Sequence, residues 1–275
     1  MKRKFIQLIT AILCNAHLTG FYTGKIYQGN LKAACVPGLN CYSCPGAIGS
    51  CPLGSLQSAL VSSKYRFNYY ILGVLILMGA ILGRVICGFL CPFGLLQELI
   101  YKLPTKKLKK NKITRILSYF KYIVLIVFVI ILPLISLSPA FCKYICPQGT
   151  LEGGILLVKL NDNLKSLTGG LYNYKVAVMT LIIVACIFIY RMFCRFVCPL
   201  GAIYALFSPI AILGIKVDKN ACDHCNACVK ICKMDIKHPG DSECIHCGEC
   251  INVCHVNAIE YAKFVNKNKK LKQEN

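Results

Sequence analysis

Charge is scarce and one-sided in this sequence. Only 16% of the 275 residues are charged, with 11 acidic against 32 basic. No general acid–base pair and no nucleophile–base set is apparent, so any catalysis here is redox catalysis. A hydrophobic content of 56% and a mean hydropathy of +0.57 exclude an ordinary soluble domain of this length. They indicate a multi-span membrane protein with a smaller polar part. The N-terminus MKRKFIQLITAILCNAH lacks an A-x-A-like cleavage site, and Leu13 is not the small residue that lipoprotein processing needs before Cys14. It is read as a retained first span.

Cysteine is abundant, at 20 residues. Disulfide frameworks belong mostly to short secreted chains. This chain is long and places cysteines in Cys-Pro motifs, so ligation is the reading for most of them. The net charge of +21 invites a nucleic-acid partner. Many of the basic residues lie in loops beside apolar runs, however, as an inner-membrane topology requires. Each four-thiolate cubane would also lower the charge by roughly 2. No nucleic-acid partner is expected.

Four apolar runs are long enough, or nearly so, for a bilayer core: 5–22, 69–86, 122–137 and 176–192. Gln7, Asn15 and His17 interrupt the first. A fifth run, 202–215, is broken by Pro209 and is read as an interfacial or re-entrant helix. Lys102, Lys106, Lys107, Lys109, Lys110, Lys112 and Arg115 crowd the loop between spans two and three. They place that loop in the cytoplasm, and Lys2, Arg3 and Lys4 place the N-terminus there too. Segments 23–65 and 138–171 then lie outside, and the chain beyond Lys216 returns to the cytoplasm.

A short element repeats around Cys-Pro. CGFLCPFG occupies 87–94, CKYICPQG 142–149 and CRFVCPLG 194–201, each after an apolar run. In chain order these are the second, third and fourth copies. The first is AIGSCPLG at 47–54, where Ala47 replaces the leading cysteine. Six residues after the second cysteine of each copy come Gln57, Gln97, Glu152 and Tyr204. Cysteines four apart face one side of a helical turn. Proline suits the first turn of the next helix, where its missing N–H costs little. Glycine two residues later permits close backbone approach. Amides at that helix start can then soften the charge of a thiolate-bound cluster.

Each pair supplies two ligands, so pairs must meet. Topology puts Cys87, Cys91, Cys194 and Cys198 together on the cytoplasmic side. It puts Cys142 and Cys146 outside with Cys35, Cys41, Cys44 and Cys51. Cys51 matches the second cysteine of every copy. Either Cys41 or Cys44 stands in for the cysteine missing at Ala47, and Cys35 and the remaining one are spare or disulfide-bonded. Cys14 and His17 in the first run and Cys186 in the fourth are candidates for a mid-membrane relay, or else a buried thiol and hydrogen-bonded groups. Arg84, Arg191 and Arg195 flank the inner pairs, either offsetting cluster charge or marking the interface.

Residues 222–232 read CDHCNACVKIC and 244–254 read CIHCGECINVC. Both fit the bacterial two-cluster ferredoxin spacing, in which the fourth cysteine of one run serves the other cluster. Cys222, Cys225, Cys228 and Cys254 are assigned to one cubane, and Cys244, Cys247, Cys250 and Cys232 to the second. Lys233 and His255 stand where proline usually follows the fourth cysteine. His224 and His246 are read as exposed non-ligands, and Pro37-Gly38 as an ordinary turn.

Taken together, CYSCPGAIGSCPLGSLQ, GRVICGFLCPFG, CKYICPQG, RMFCRFVCPLGA and the terminal double run resemble the NapH/NosR-type membrane-bound polyferredoxins over nearly the whole chain. The resemblance implies transfer of electrons between quinol or cytoplasmic donors and reductases outside the membrane. No covalent flavin-attachment motif is visible, so no flavin is expected and the outer partner stays open.

The expected fold is a mainly α membrane protein of about four transmembrane helices with interfacial helices, plus a small α+β ferredoxin domain. The expected domains are a transmembrane iron–sulfur domain at 1–215, a 2[4Fe-4S] ferredoxin domain at 216–262 and a basic tail at 263–275. Two [4Fe-4S] clusters belong to the ferredoxin domain and two to the membrane domain. The expected location is a prokaryotic cytoplasmic membrane with both termini inside. The donor is a cytoplasmic ferredoxin or flavodoxin, or membrane quinol, and the acceptor is an outer-side redox partner. The alternatives are a quinol dehydrogenase subunit with quinone near one cluster, a redox accessory or assembly factor for a metalloenzyme, and a zinc-holding scaffold.

Overall fold

A computed structural model describes residues 2–62, 68–108 and 110–262. The expected basic tail at 263–275 lies outside the described residues. The described residues are mostly helical, with one antiparallel strand pair among them, Ile215–Val217 against Ile259–Tyr261. Among the described residues, two helices are long and apolar enough to cross a membrane, Ile113–Ser136 and Gly170–Phe188. At 1.5 Å per residue they reach about 36 Å and about 28 Å. The first loosens into a π-helical stretch at Leu125–Ile131. Pro133 follows in the next turn, where it offers no N–H and crowds the carbonyl four residues back.

The other two expected spans are shorter than their apolar runs. Helix Lys2–Cys14 stops after 13 residues, where the Asn15 side chain turns back to the Ala11 carbonyl and across to Asn40. The chain then folds beneath the 44–48 loop, with His17 bonded to the Pro45 carbonyl. Helix Tyr69–Leu82 stops after 14 residues at Gly83, whose φ of 49° lets the backbone pass close to Ser208. Arg84 then points inward rather than continuing the apolar run. The run expected as an interfacial or re-entrant helix begins within helix Pro199–Phe207, where Ala202, Tyr204 and Ala205 are buried.

The segment after Gly214 packs on this helical body through buried ions. Glu243 pairs with Arg84 at 2.7 Å and also with Lys121. Asp235 pairs with Arg195 at 2.7 Å and with Arg115 at 3.1 Å. Gly88 approaches the Ile245 carbonyl so closely that a Cβ there would lie 2.1 Å from it. His246 is buried, contrary to expectation: it accepts the Ile215 N–H at 2.9 Å and bonds Ser208 at 3.1 Å. Burial and the charge of Arg84 lower its pKa to about 4.

Candidate functional site

Each repeat copy becomes a helix break that presents sulfur. Cys87, Cys142 and Cys194 sit in short helices Val85–Phe89, Ala140–Tyr144 and Met192–Phe196. Cys51, Cys91 and Cys198 cap the helices that begin at Pro52, Pro92 and Pro199. The repeat glycine then turns its N–H onto the capping thiol. Gly149 reaches Cys146 Sγ at 3.4 Å and Gly201 reaches Cys198 Sγ at 3.3 Å. Gly54 and Gly94 hold the same place beside Cys51 and Cys91.

Copies pair first with third and second with fourth. Cys41, Cys51, Cys142 and Cys146 each feel the charge of the other three. The same holds for Cys87, Cys91, Cys194 and Cys198. The thiol that joins the first copy is Cys41, which lies beside Cys146 under Gly149. Cys44 turns away to Asn15 Oδ1 at 3.5 Å, and Cys35 pairs its backbone with Ser50. All 20 cysteines are free thiols, so neither is spent on a disulfide. Cys35 still lines a cavity of about 1310 Å³ that adjoins the Cys41 set and is walled by Tyr42, Leu157, Leu164 and Tyr172.

The two runs near the C-terminus gather similarly. Cys244 and Cys247 interact with Cys232 and Cys250; the first three pack into the main core, and Cys250 lies in the small core at the strand pair. Cys222 and Cys225 interact with Cys228, which packs with Cys254 in a small separate core. Cys225 is exposed. His224 and His246 share one left-handed backbone position in the two runs, with φ of 56° and 54°, and Asn226 and Gly248 share another. Left-handed residues alternating with others, as here, turn successive amides towards a common centre, which suits an anionic cluster.

A single tetrahedral ion bound by four thiolates at about 2.3 Å holds sulfurs roughly 3.8 Å apart. Among the described residues, the thiol sets do not draw within 4.8 Å of one another. Their all-sulfur donors suit a cubane. The group drawn that tightly is Asp223, Cys225 and His255, all exposed.

The sets are neighbours. The backbone of Leu39 lies by Cys91 and that of Asn40 by Cys51, so consecutive residues run past one thiol of each membrane set. Pro37-Gly38 is thus no ordinary turn. A Cβ on Gly38 would lie 3.0 Å from Cys91 Cα, and the Pro37 carbonyl accepts from Tyr204 Oη at 3.0 Å. Arg84 senses Cys87 and Cys194 on one side and Cys244 on the other, and Cys228 senses Cys250.

Polar groups around the Cys87 set are buried. Arg84 donates to the Cys194 carbonyl at 3.4 Å, and Arg191 donates to the Cys87 carbonyl. Each arginine precedes one leading cysteine by three residues and serves the other. Neither guanidinium marks an interface, since both have 0% exposure. Glu98 binds Arg3 through two contacts of 2.7 Å, Tyr190 at 2.7 Å and Arg191 Nε at 2.9 Å. Burial raises the Glu98 pKa, but the bond from Arg3 and the charge of Arg191 outweigh it and hold it at about 2. Glu152 accepts the Cys41 N–H at 3.2 Å, and burial lifts its carboxyl to about 7.

The relay candidates do not meet. His17 lies against Pro45, Thr19 and Tyr27. The Cys14 carbonyl takes bonds from Ile48 and Asn40, and Cys186 sits by Gln97 at 3.6 Å. Sequence reasoning passed over the roles of Leu39, Asn40, Gln57, Gln97 and Glu98. For the glutamines the signal was present, because they share one repeat position.

A family model described as a 4Fe-4S binding domain matches residues 67–111, 120–160 and 176–219. An uncharacterized protein of Methanocaldococcus jannaschii is 33% identical over 196 residues, 68% of this chain and 74% of the relative. YccM of Escherichia coli, whose name refers to electron transport, is 26% identical over 188 residues, 66% of this chain and 50% of its own length. The regulatory protein NosR of Stutzerimonas stutzeri is 29% identical over 159 residues, 57% of this chain and 21% of its own length. This chain thus spans half of YccM and about a fifth of NosR. No solved structure matches.

Proposed function

The chain belongs to the NapH/NosR-type family of 4Fe-4S electron-transfer proteins, and from that premise we propose that it moves electrons across a membrane, from a cytoplasmic carrier to an outer-side acceptor, by way of four [4Fe-4S] sites. Cys222, Cys225, Cys228 and Cys254 hold the first site, and Cys232, Cys244, Cys247 and Cys250 the second. Cys87, Cys91, Cys194 and Cys198 hold the third, and Cys41, Cys51, Cys142 and Cys146 the fourth. Bound clusters supply one-electron exchange. The protein holds the thiolates, excludes water from the middle sites and offers an entry point at exposed Cys225.

The observation that carries this reading is the seat of one short loop against both membrane sets: Gly38 packs on Cys91, and Cys41 lies beside Cys146. It supports a continuous order of sites with no relay through Cys14, His17 or Cys186. The helices Ile113–Ser136 and Gly170–Phe188 support a membrane setting. The basic residues of 102–115 support a cytoplasmic ferredoxin-type segment, because Thr114 and Arg115 bond Asp235.

Anaerobic purification followed by iron and sulfide analysis with EPR tests the reading. About sixteen iron atoms per chain are expected for four cubanes. A zinc-loaded, EPR-silent protein overturns it. Reporter fusions at residues 55 and 108 should report opposite sides of the membrane, and the same side for both overturns the outer site.

The cavity beside the Cys41 set favours a second reading, in which a membrane quinol is the donor. At about 1310 Å³, walled by Leu157, Leu164 and Tyr172, it suits an apolar redox ring. Reduction of the EPR signals by a quinol analogue, with none by reduced ferredoxin, would select that reading over the first.

A further inference from the structure

Gln57 and Gln97 occupy the same place in the first and second repeat copies, six residues after the capping cysteine. Both side chains are shut off from solvent, at 0% and 1% exposure. A buried amide needs partners for its two N–H donors and its oxygen. Three of their partners correspond, and Gln97 Oε1 also takes the Cys194 N–H at 3.5 Å and the Cys186 thiol at 3.6 Å. Gln57 Oε1 accepts the Phe141 N–H at 3.0 Å, and Gln97 Oε1 accepts the Phe193 N–H at 3.1 Å. Each Nε2 donates to a carbonyl in its own helix, Leu53 at 3.4 Å or Phe93 at 3.3 Å. Each also donates to sulfur: Gln57 to Cys142 Sγ at 3.2 Å, and Gln97 to Cys194 Sγ at 2.9 Å.

The backbone donors decide which way each amide faces. An N–H from Phe141 or Phe193 can meet only an oxygen, so the nitrogen must face the thiol. The bond also crosses between copies. Gln57 of the first copy grips the leading cysteine of the third, and Gln97 of the second grips the leading cysteine of the fourth. These are the two pairings that complete the membrane thiol sets. The equivalent residues of the other copies serve the bridging loop instead. Glu152 accepts the Cys41 N–H at 3.2 Å, and Tyr204 donates to the Pro37 carbonyl at 3.0 Å. Neither donates to a cluster thiol.

We propose that Gln57 and Gln97 are positioning residues that each donate one N–H to a thiolate of a different membrane cluster, Cys142 or Cys194, and so set the two cluster potentials separately. The proposal rests on the cluster assignment of the preceding section. A neutral N–H donor stabilises negative charge on sulfur, and that charge grows when a cluster takes an electron. The donor therefore raises the reduction potential of the cluster it touches. Losing it makes that cluster harder to reduce and leaves the others unmoved.

The test is an EPR-monitored redox titration of the full chain purified anaerobically. Gln57→Leu should shift one couple to lower potential, with iron content and the remaining couples unchanged. Gln97→Leu should shift a different couple in the same direction. Gln57→Glu, which removes the N–H and keeps the oxygen, should also lower the first couple. Unchanged potentials in all three variants overturn the proposal, as does a shift of the same couple by both leucine variants. Should the variants lose iron, the unmutated protein with side-chain ¹⁵N-labelled glutamine decides. Pulsed EPR of the reduced state should detect ¹⁵N coupling, and its absence overturns the proposal. A parent protein without any iron–sulfur couple would overturn the cluster assignment itself, which is a separate and recognisable result.

Discussion

Arg84 and Glu243 meet at 2.7 Å across the join between the helical body and the ferredoxin-type segment, with the guanidinium wholly shut off from solvent. The same carboxylate takes Lys121, which is equally buried. Asp235 pairs with buried Arg195 in the same way, and also with half-exposed Arg115. Desolvated ions of this kind add little net stability but are costly to break singly. Here they hold Cys244 beside Arg84, and Arg84 beside Cys87.

Removing one partner should therefore loosen the join. Glu243→Gln leaves Arg84 and Lys121 without their anion, at a cost of about 3–5 kcal/mol. Amide exchange over 232–250 should quicken while the helix Gly170–Phe188 stays protected. The triple variant Arg84→Met, Lys121→Met and Glu243→Leu should recover part of the loss, because no buried charge is then stranded. Equal protection of 232–250 in Glu243→Gln and the parent would refute the lock.

Tyr204 makes a second, smaller prediction. Its hydroxyl secures the Pro37 carbonyl at 3.0 Å and so fixes the strand of chain that bears Leu39, Asn40 and Cys41. Tyr204→Phe keeps the ring in its buried place and loses one hydrogen bond, for about 1 kcal/mol. Exchange at residues 36–41 should rise selectively. If the added exchange appears elsewhere or nowhere, the hydroxyl does not anchor the loop.

The Cys41 set predicts which cysteines bear iron. Cys41→Ser and Cys142→Ser should each remove one cluster's worth of iron, about four atoms per chain. Cys35→Ser and Cys44→Ser should leave the iron count unchanged. Equal loss from Cys44→Ser would reinstate the alternative that Cys44 completes the set.

That choice shows where the sequence stops being informative. Spacing alone picks out the two cysteine runs at 222–232 and 244–254, because local turns bring neighbouring cysteines of a run together. It also reveals the Cys-Pro copies, whose prolines open helices as the residue chemistry requires. Cys41 against Cys44 is a matter of which side of one irregular loop faces Cys146, and no periodicity encodes that. Helix lengths fail for a related reason. Hydropathy does not register that Asn15 and Gly83 have partners inside the protein, so the apolar runs at 5–22 and 69–86 read as longer helices than Lys2–Cys14 and Tyr69–Leu82. His246 was read as exposed from its place among ligands, yet Ile215 and Ser208 enclose it from distant parts of the chain.

Glu98 gives the pH dependence. Its carboxyl ties the N-terminal helix to the Cys87 set through Arg3 on one side and Arg191 and Tyr190 on the other. Folding lowers its pKa from 4.5 to about 2. A carboxyl depressed in this way contributes stability that is complete above about pH 4.5 and is lost as pH falls towards 2, amounting to about 3 kcal/mol. Glu98→Gln removes that contribution at every pH. Thermal unfolding of parent and variant, followed by circular dichroism, should therefore differ most at neutral pH. The two should converge as the solution is acidified from about pH 4.5. Acid loss of clusters would affect both proteins alike, so the difference between them carries the information. A gap that stays constant down to pH 3 would show that Glu98 is not the titrating group.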